Sequence, residues 1–438
     1  MRRRFGTGAH LVNAISFAVA QVLIAGINLY LLAHIVQLLL GWPLWVSLII
    51  AAIVVLSYIT LGGLSAAIYN EVLQFFVIVA ALLPLTLIGL HRVGGVGGLV
   101  DKITEAGNED MLSSWPATNL TGFESPFWSV IGIVFGLGFV LSFGYWTTNF
   151  VEVQRAMATH SISAARSTPI IGSFPKMFVP FIVVIPGIIA TVLVPEVVEA
   201  KASGDPDFDY NNSILYLIQD VLPNGLLGVA LAGLLAAFMA GMAANISAFN
   251  TVFSYDLWQQ YVKRDRPDGY YLKVGRWATV GATVLAIGTA VIASGYGNLM
   301  NYLQTLFGFF NAPLFATFIL GMFWKRMTPT AGWVGLVAGT LSAVAVDRLA
   351  AAGVIDLPGQ GAAFLAASTA FVVDIVLSVI VSLVTEPKPA SELKGLVYSE
   401  TPIEDRTDPH EASMPWYRRT VPLAGIALAM VVVLNIAF

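Results

Sequence analysis

The stretch LLGVALAGLLAAFMAGMAANISAFNTVFS, residues 226–254, runs for 29 residues without a charged side chain. A helix needs about 20 apolar residues to cross the hydrocarbon core of a bilayer, so this stretch is long enough to span one. Its many glycines and alanines allow a second helix to pack closely against it. The stretch therefore predicts a transmembrane helix that packs against other helices.

Ten further apolar segments extend this pattern along the chain. The eleven predicted spans are 9–40, 43–61, 66–90, 127–149, 174–195, 226–254, 275–294, 305–324, 330–349, 362–385 and 420–437. The alternating ten-residue segments of a membrane β-barrel are absent from the sequence. We expect an all-α polytopic membrane protein, with residues 1–438 forming a single transmembrane domain.

The composition excludes several classes of protein. Hydrophobic residues make up 57% of the chain and charged residues only 11%, whereas soluble domains carry about 25% charged residues. Lysine and arginine number 22 against 26 acidic residues, so the basic excess typical of nucleic-acid binding is missing. The chain has no cysteine and five scattered histidines, which argues against disulfides and a zinc enzyme. No catalytic residue and no resident cofactor is predicted.

The basic residues indicate the orientation of the chain in the membrane. If the amino terminus with Arg2–Arg4 is cytoplasmic and the chain crosses eleven times, 18 of the 22 basic residues lie inside. The four outside are Arg92, Lys102, Lys201 and Arg348. Cytoplasmic loops carry an excess of lysine and arginine, so we predict an integral protein of the inner or plasma membrane with a cytoplasmic amino terminus.

Three polar stretches interrupt the spans. Residues 91–126 and 196–212 are predicted to be external loops, the first with a short helix near 98–106. Residues 386–417 are predicted to form a cytoplasmic linker before the last helix.

The fourth span ends in four polar or aromatic residues at helical spacing. Ser142, Tyr145, Trp146 and Asn149 recur at i, i+3, i+4 and i+7, which places them on one face of a regular helix. Two interpretations fit this face. It lines a cavity for a polar solute, or it belongs to the aromatic belt at the cytoplasmic membrane surface.

Other polar residues also break the apolar pattern, and such residues usually face a cavity or a partner. Lys176 lies between two prolines at the start of the fifth span. It is either an anchor to lipid headgroups or a ligand of the solute. Gln304 precedes the eighth span, as a polar residue at the helix boundary or as a solute ligand. Asp374 lies well inside the tenth span, and we expect it to pair with a structural partner. Glu152 and Arg155 are three residues apart, and we expect a local ion pair.

Several motifs together resemble the sodium/solute symporter family, in particular its sodium/glucose cotransporter branch. They are YITLGGLSAAIYNEVLQ at 58–74, YW with VQR from Tyr145 to Arg155, Lys176 with Pro186-Gly187 ten residues later, Gln304 with FWKR at 323–326, VLPNGLLG at 221–228 and SYDLW at 254–258. Each motif is weak alone, but their order and spacing extend over essentially the whole chain.

The resemblance implies roles for the polar residues of the fourth, fifth and eighth spans. In sugar-transporting relatives, the residues matching Ser142, Tyr145 and Trp146 line or close the substrate pocket, and the tyrosine is the inner gate. The residues matching Lys176 and Gln304 hydrogen-bond sugar hydroxyls. Because a neutral polyol needs directional donors and acceptors beside an aromatic face, the residue chemistry agrees with this expectation.

The resemblance also implies a LeuT-like inverted-repeat transporter fold. The opening MRRRFGTGAH is similar to the segment that follows the first three helices of family members. We therefore expect the first helices of the family fold to precede this point, with an upstream start as the simplest explanation.

The ion site implied by the family lacks its usual side chains. Counting back from Asp256, the two positions that supply hydroxyls in relatives are Ala240 and Gly241. The carbonyl of Ala237 remains as a ligand, and Glu71 keeps a carboxylate where the family motif has aspartate. Hard cations bind several oxygens, so sodium coupling, proton coupling and uncoupled exchange all stay open.

The preferred interpretation is a secondary transporter that moves a small polar solute across a lipid bilayer by alternating access. The resemblance implies that this solute is a sugar. A symporter for organic acids or amino acids is one alternative. A transporter-derived sensor or scaffold, or a non-functional fragment, is another, which the loss of both hydroxyls favours. An intramembrane enzyme would need a nucleophile with its base or a metal set, and the sequence shows neither. No oligomeric state is predicted.

Overall fold

The computed structural model describes residues 1–113, 125–205, 208–357, 360–408 and 411–437. Within these residues the chain is helical and carries no β-strand. Parts of the three predicted loops lie outside the described residues, namely 114–124, 206–207 and 409–410.

The described chain contains α-helices, π-helical segments and short 3₁₀ turns. The α-helices are α1 Arg2–Leu40, α2 Leu44–Val93, α3 Gly95–Glu105, α4 Pro126–Ile131, α5 Gly144–Thr148, α6 Phe150–Met157, α7 Ile162–Lys176, α8 Val179–Leu193, α9 Pro195–Ser203, α10 Ser213–Val221, α11 Asn224–Thr251, α12 Asp268–Ala293, α13 Leu299–Phe323, α14 Pro329–Ala351, α15 Gly361–Val384, α16 Ala390–Leu393, α17 Ile403–Arg406 and α18 Thr420–Ala437. The π-helical segments are Gly132–Phe143, which joins α4 to α5, and Val252–Val262, which extends α11. The 3₁₀ turns are Glu109–Leu112, Tyr210–Asn212, Tyr398–Glu400, Glu411–Ser413 and Trp416–Arg418.

Nine helical stretches of the described residues are long and apolar enough to cross a bilayer. They are Arg2–Leu40, Ala67–Val93, Phe127–Thr148, Ile162–Leu193, Asn224–Val262, Asp268–Ala293, Leu299–Phe323, Pro329–Ala351 and Gly361–Val384. Two shorter apolar helices, Leu44–Thr60 and Thr420–Ile436, coincide with the second and last predicted spans. The all-α polytopic class predicted from the sequence is therefore confirmed.

The second and third predicted spans, 43–61 and 66–90, are not separated by a loop. They form the single 50-residue helix α2, so the predicted break between them is wrong. At 1.5 Å per residue a helix of this length extends about 75 Å, more than twice the thickness of a hydrocarbon core of about 30 Å. Two span lengths therefore follow one another along α2, and the two glycines between them do not end the helix.

Helix α1 lies at the centre of the helical assembly. It packs against α2, α11, α12, α13 and α14. The largest apolar core lies where α1, α2, α11 and α12 meet, and fully buried Leu29, Val55 and Ala286 belong to it. A second core joins α2 to α8 and α10, and a third joins the Gly132–Phe143 segment to α13 and α15. Three apolar cores thus hold α1, α2, α11, α12, α13 and α15 in place.

Two contacts join predicted loops that are distant in sequence. Lys201 Nζ in α9 lies 3.1 Å from Met111 Sδ, so the two predicted external loops contact each other. Lys388 Nζ donates to the carbonyl of Arg3 at 3.3 Å, so the predicted linker contacts the amino terminus. The two predicted external loops thus contact each other, and the predicted cytoplasmic linker contacts the amino terminus. The side of the membrane that each pair faces stays a prediction.

Asp374 of α15 is fully buried. Its carboxylate accepts hydrogen bonds from Thr317 Oγ1 at 2.8 Å and from Ser378 Oγ at 3.0 Å. Gly335 and Gly339 of α14 lie so close to Asp374 that a Cβ at either position would collide with its side chain or with neighbouring atoms. The partners of this aspartate are therefore hydroxyls on α13 and α15, in space that two glycines leave free.

Candidate solute and ion site

Tyr145 lies in the short helix α5, directly after the π-helical segment. Its ring lies 4.7 Å, centroid to centroid, from the ring of Phe307 in α13. Gly144 makes this approach possible, because a Cβ there would lie 2.8 Å from the ring of Phe315 in the same helix. Tyr145 is therefore held against α13 by aromatic packing.

The predicted single face of Ser142, Tyr145, Trp146 and Asn149 is wrong. A π-helix has more residues per turn than an α-helix, and Ser142 lies within the π-helical segment. Helix α5 then ends at Thr148, and Asn149 has extended backbone with ψ of 124°. Ser142 and Trp146 are exposed, whereas Asn149 is buried and caps α6 by accepting from the Val151 N–H at 2.9 Å.

Lys176 lies at the break between α7 and α8. Pro175 precedes it within α7, and Pro180 stands in the first turn of α8. The Nζ atom of Lys176 lies 3.4 Å from the centroid of the Trp146 ring. A cation–π contact at an exposed site contributes about 0.5–1 kcal/mol. The break in the helix thus directs the ammonium towards the aromatic pair that precedes Asn149.

Glu152 of α6 joins the same cluster. Its Oε1 accepts from the Tyr145 hydroxyl at 3.4 Å. Burial raises the pKa of Glu152, and the positive charges of Arg155 and Lys176 only partly oppose this. The carboxyl group therefore lies next to both the candidate gate and the candidate solute ligand, and it takes up a proton more readily than an exposed glutamate.

Arg155 pairs with Glu71 of α2 and not with Glu152, so the predicted local ion pair is wrong. The guanidinium donates through Nε and Nη2 to the two carboxylate oxygens of Glu71, at 3.0 and 2.5 Å. A two-pronged contact of this kind suits the planar fork of arginine. The spacing along the sequence favoured a partner three residues away, whereas in the folded chain the carboxylate beside Arg155 belongs to α2 and lies 84 residues away in sequence.

Gln304 is buried in α13, one turn before Phe307. Phe307 contacts Tyr145, so Gln304 lies one helical turn from a residue that packs against the cluster. The structure therefore brings Tyr145, Trp146 and Lys176 into contact and places Gln304 on the neighbouring helix α13. Phe307 was missed in the sequence because an aromatic residue in an apolar span has no distinguishing signal, although its spacing of three from Gln304 placed both on one face.

The positions of the implied ion site are surrounded by backbone and amide groups. A Cβ at Gly241 would collide with the side-chain oxygen of Asn28 in α1, so this amide lies directly beside Gly241. The carbonyl of Gly241 accepts from Asn245 Nδ2 at 2.7 Å. Ala237 and Ala240 offer only carbonyls. Glu71 is already paired with Arg155.

No group of three histidine or acidic side chains that could hold a metal ion occurs in the part of the chain that the structure describes. The side-chain oxygen nearest to Gly241 is that of Asn28.

The chain is similar in sequence to several sodium-dependent cotransporters. It is 31% identical over 324 residues to the sodium/glucose cotransporter of Vibrio parahaemolyticus, covering 71% of this chain and 58% of that protein. It is 29% identical to the sodium/mannose cotransporter of Bos taurus, covering 80% and 61%. It is 30% identical to the sodium/myo-inositol cotransporter 2 of Oryctolagus cuniculus, covering 78% and 53%. The matched region thus spans between half and two thirds of these relatives.

The fold is similar to a solved structure of a Na⁺-coupled sialic acid symporter in its substrate-bound outward-open state. The TM-score is 0.70 at 19% sequence identity, with 88% of this chain and 77% of that chain covered. This likeness confirms the LeuT-like transporter fold. The profile of the sodium:solute symporter family matches residues 1–339. The chain is an integral multi-pass membrane protein and belongs to the sodium:solute symporter family.

Proposed function

We propose that this chain forms the solute pathway of a symporter that carries a small polyhydroxylated solute, a sugar or a polyol, by alternating access. The observation that carries the proposal is the cluster of Tyr145, Trp146 and Lys176 at two helix breaks, with Gln304 one turn before Phe307, which packs against Tyr145. Helix breaks free backbone groups and turn side chains towards a path through the membrane.

The chemistry of this cluster suits a neutral polyol. An ammonium donates hydrogen bonds, a primary amide both donates and accepts them, and indole and phenol rings offer apolar faces to a sugar ring. The relatives named for glucose, mannose and myo-inositol share the hydroxyl-rich solute chemistry that these groups would bind. Organic acids and amino acids, considered from the sequence, are not favoured by these relatives.

Tyr145 is the proposed inner gate. Its ring is held by Phe307 and its hydroxyl by Glu152. The tyrosine thus connects α13, which carries Gln304, to α6, which carries the Glu71-bound Arg155. Displacing its ring would open a path between the proposed solute ligands and the paired charges beside α2.

Sodium is the proposed coupling ion, since the chain belongs to a family named for sodium:solute symport. Hard cations bind oxygen ligands. In this chain the carbonyl of Ala237 is the proposed remaining ligand, and the amide oxygen of Asn28, beside Gly241, is proposed to take the place of an absent hydroxyl. The sensor and scaffold interpretations are not favoured by the cotransporter relatives.

Uptake into proteoliposomes tests the proposal. The reconstituted protein is given radiolabelled glucose, mannose, myo-inositol, proline and lactate, each under an inward sodium gradient and under a matched potassium gradient. We expect uptake of at least one of the three hydroxyl-rich solutes, faster with sodium. Uptake of proline or lactate alone would contradict the solute class, and equal rates under both gradients would contradict sodium coupling.

The pH dependence of solute affinity reports on Glu152. Because burial raises its pKa, acidification protonates Glu152 at a pH where an exposed glutamate, with a pKa of about 4.3, is still charged. Protonation removes the attraction between Glu152 and Lys176 and leaves the ammonium free for solute. We expect the KM for solute to fall about threefold on acidification, the scale of an exposed ion pair.

Glu152→Gln should show the low KM at every pH. Glu199→Gln, which changes an exposed carboxyl in α9, should keep the pH dependence of the unmodified protein. A Glu152→Gln protein whose KM still falls on acidification would show that another group titrates.

A further inference from the structure

A narrow polar cavity lies between α1, α13 and α14, separate from the Lys176 cluster. Its volume is about 20 Å³. Six uncharged polar side chains line it, namely Asn13, Ser16, Gln21, Asn149, Asn311 and Thr340. Polar residues are rare inside membrane spans and usually face a cavity or a partner. Six such groups around one small space are therefore a distinctive feature of this helical bundle.

Two of these side chains lack partners. Gln21 is 1% exposed and Asn311 is 4% exposed. The oxygen and the nitrogen of both amides are without a hydrogen-bond partner among the described residues. More than 90% of buried polar groups in proteins are hydrogen-bonded to protein or to ordered water. Four orphaned atoms on two side chains that line one cavity therefore favour a ligand at this cavity.

The chemistry of the amides defines the ligand. Each amide presents an acceptor oxygen and a donor NH₂ group. A cation would satisfy only the oxygens and an anion only the NH₂ groups, whereas a hydroxyl group donates one hydrogen bond and accepts two. A volume of about 20 Å³ holds about one water molecule. We infer that Gln21 and Asn311 form a binding site for a single hydroxyl group, supplied by water or by a polyol solute.

The cavity lies next to the proposed gate. Phe307 lines it, and the ring of Phe307 contacts Tyr145 at 4.7 Å. Asn149, which ends the helix that carries Tyr145, lines it as well. A hydroxyl bound by Gln21 and Asn311 thus stabilises the wall against which Tyr145 packs. The site itself stands without the proposed function, but its occupation by a polyol rests on that function.

The test uses the purified protein in detergent and its thermal unfolding. Gln21→Leu and Asn311→Leu remove the amides and keep similar side-chain volumes. Gln154→Leu is the matched control, because Gln154 is 4% exposed, also has an orphaned amide and does not line the cavity. Each protein is measured alone and in a titration with glucose and with myo-inositol.

If the site binds a hydroxyl, Gln21→Leu and Asn311→Leu each lower Tm by about 2 °C or more. A saturable rise of Tm with either sugar that is kept in Gln154→Leu and lost in both cavity variants identifies the solute as the source. The same loss of Tm without any sugar-dependent rise identifies water as the ligand. In that case the proposed site is supported even if the protein transports no polyol. Tm values for both cavity variants equal to or above that of the unmodified protein would overturn the site.

Discussion

Replacing Lys176 with alanine is expected to lower the initial rate of solute uptake by about tenfold to a hundredfold. A hydrogen bond from a charged group contributes about 1.5–3 kcal/mol, and 1.4 kcal/mol corresponds to a factor of ten. Gln304→Ala should lower uptake about tenfold, because a neutral amide contributes less. The measurement is uptake of radiolabelled solute into proteoliposomes, normalised to the amount of inserted protein.

Lys201→Ala is the control for this prediction. Lys201 is a lysine of α9 that contacts Met111 in another loop and does not touch the Tyr145 cluster. We expect Lys201→Ala to transport at the normal rate and both site variants to insert normally into membranes. Normal uptake by Lys176→Ala and Gln304→Ala would show that these residues do not bind solute.

The second large effect is expected at the ion pair between Glu71 and Arg155. Both side chains are about one-fifth exposed, at 21% and 23%. Breaking a fully buried pair costs about 3–5 kcal/mol, and partial exposure lowers the expected cost of Arg155→Gln to about 2 kcal/mol. Arg155→Gln leaves the carboxylate of Glu71 without its cation and removes a positive charge that also acts on Glu152. The measurement is the fraction of protein that stays monodisperse in detergent after heating.

Glu71→Gln should be the milder change. Arg155 then has Glu152 nearby on its own helix as an alternative partner, whereas Arg155→Gln offers Glu71 no such replacement among the contacts of this pair. The double variant Glu71→Gln with Arg155→Gln should recover much of the stability lost in Arg155→Gln, because no charge of the pair is left unmatched. Equal losses in both single variants would contradict this asymmetry.

The membrane class and most helix positions could be predicted from the sequence, because the length of an apolar run needed to cross a bilayer is fixed by bilayer thickness. Stretch 226–254 shows this directly, since it lies within the helical span Asn224–Val262. The points at which helices end or continue were harder to predict from the sequence. Two separate spans, 43–61 and 66–90, were predicted where α2 is continuous, and Asn149 was predicted to continue a helix where the chain is extended.

The candidate site was predictable as a set of residues and not as an arrangement. Lys176 stood out because a charge beside an apolar run is costly unless it has a partner. Its contact with Trp146 depends on the break between α7 and α8. The partner of Arg155 was misassigned, because spacing along one helix carries no information about a carboxylate on another helix.

The sequence by itself determined that this chain is a bundle of membrane helices from the sodium:solute symporter family, since apolar length and ordered motifs are written along one dimension. Only the tertiary structure decided that Glu71 pairs with Arg155, that Phe307 packs against Tyr145, and that Gln21 and Asn311 line one cavity. The physical reason is that hydrogen bonds and ion pairs act over a few ångströms, and helix packing alone brings such distant residues within that range.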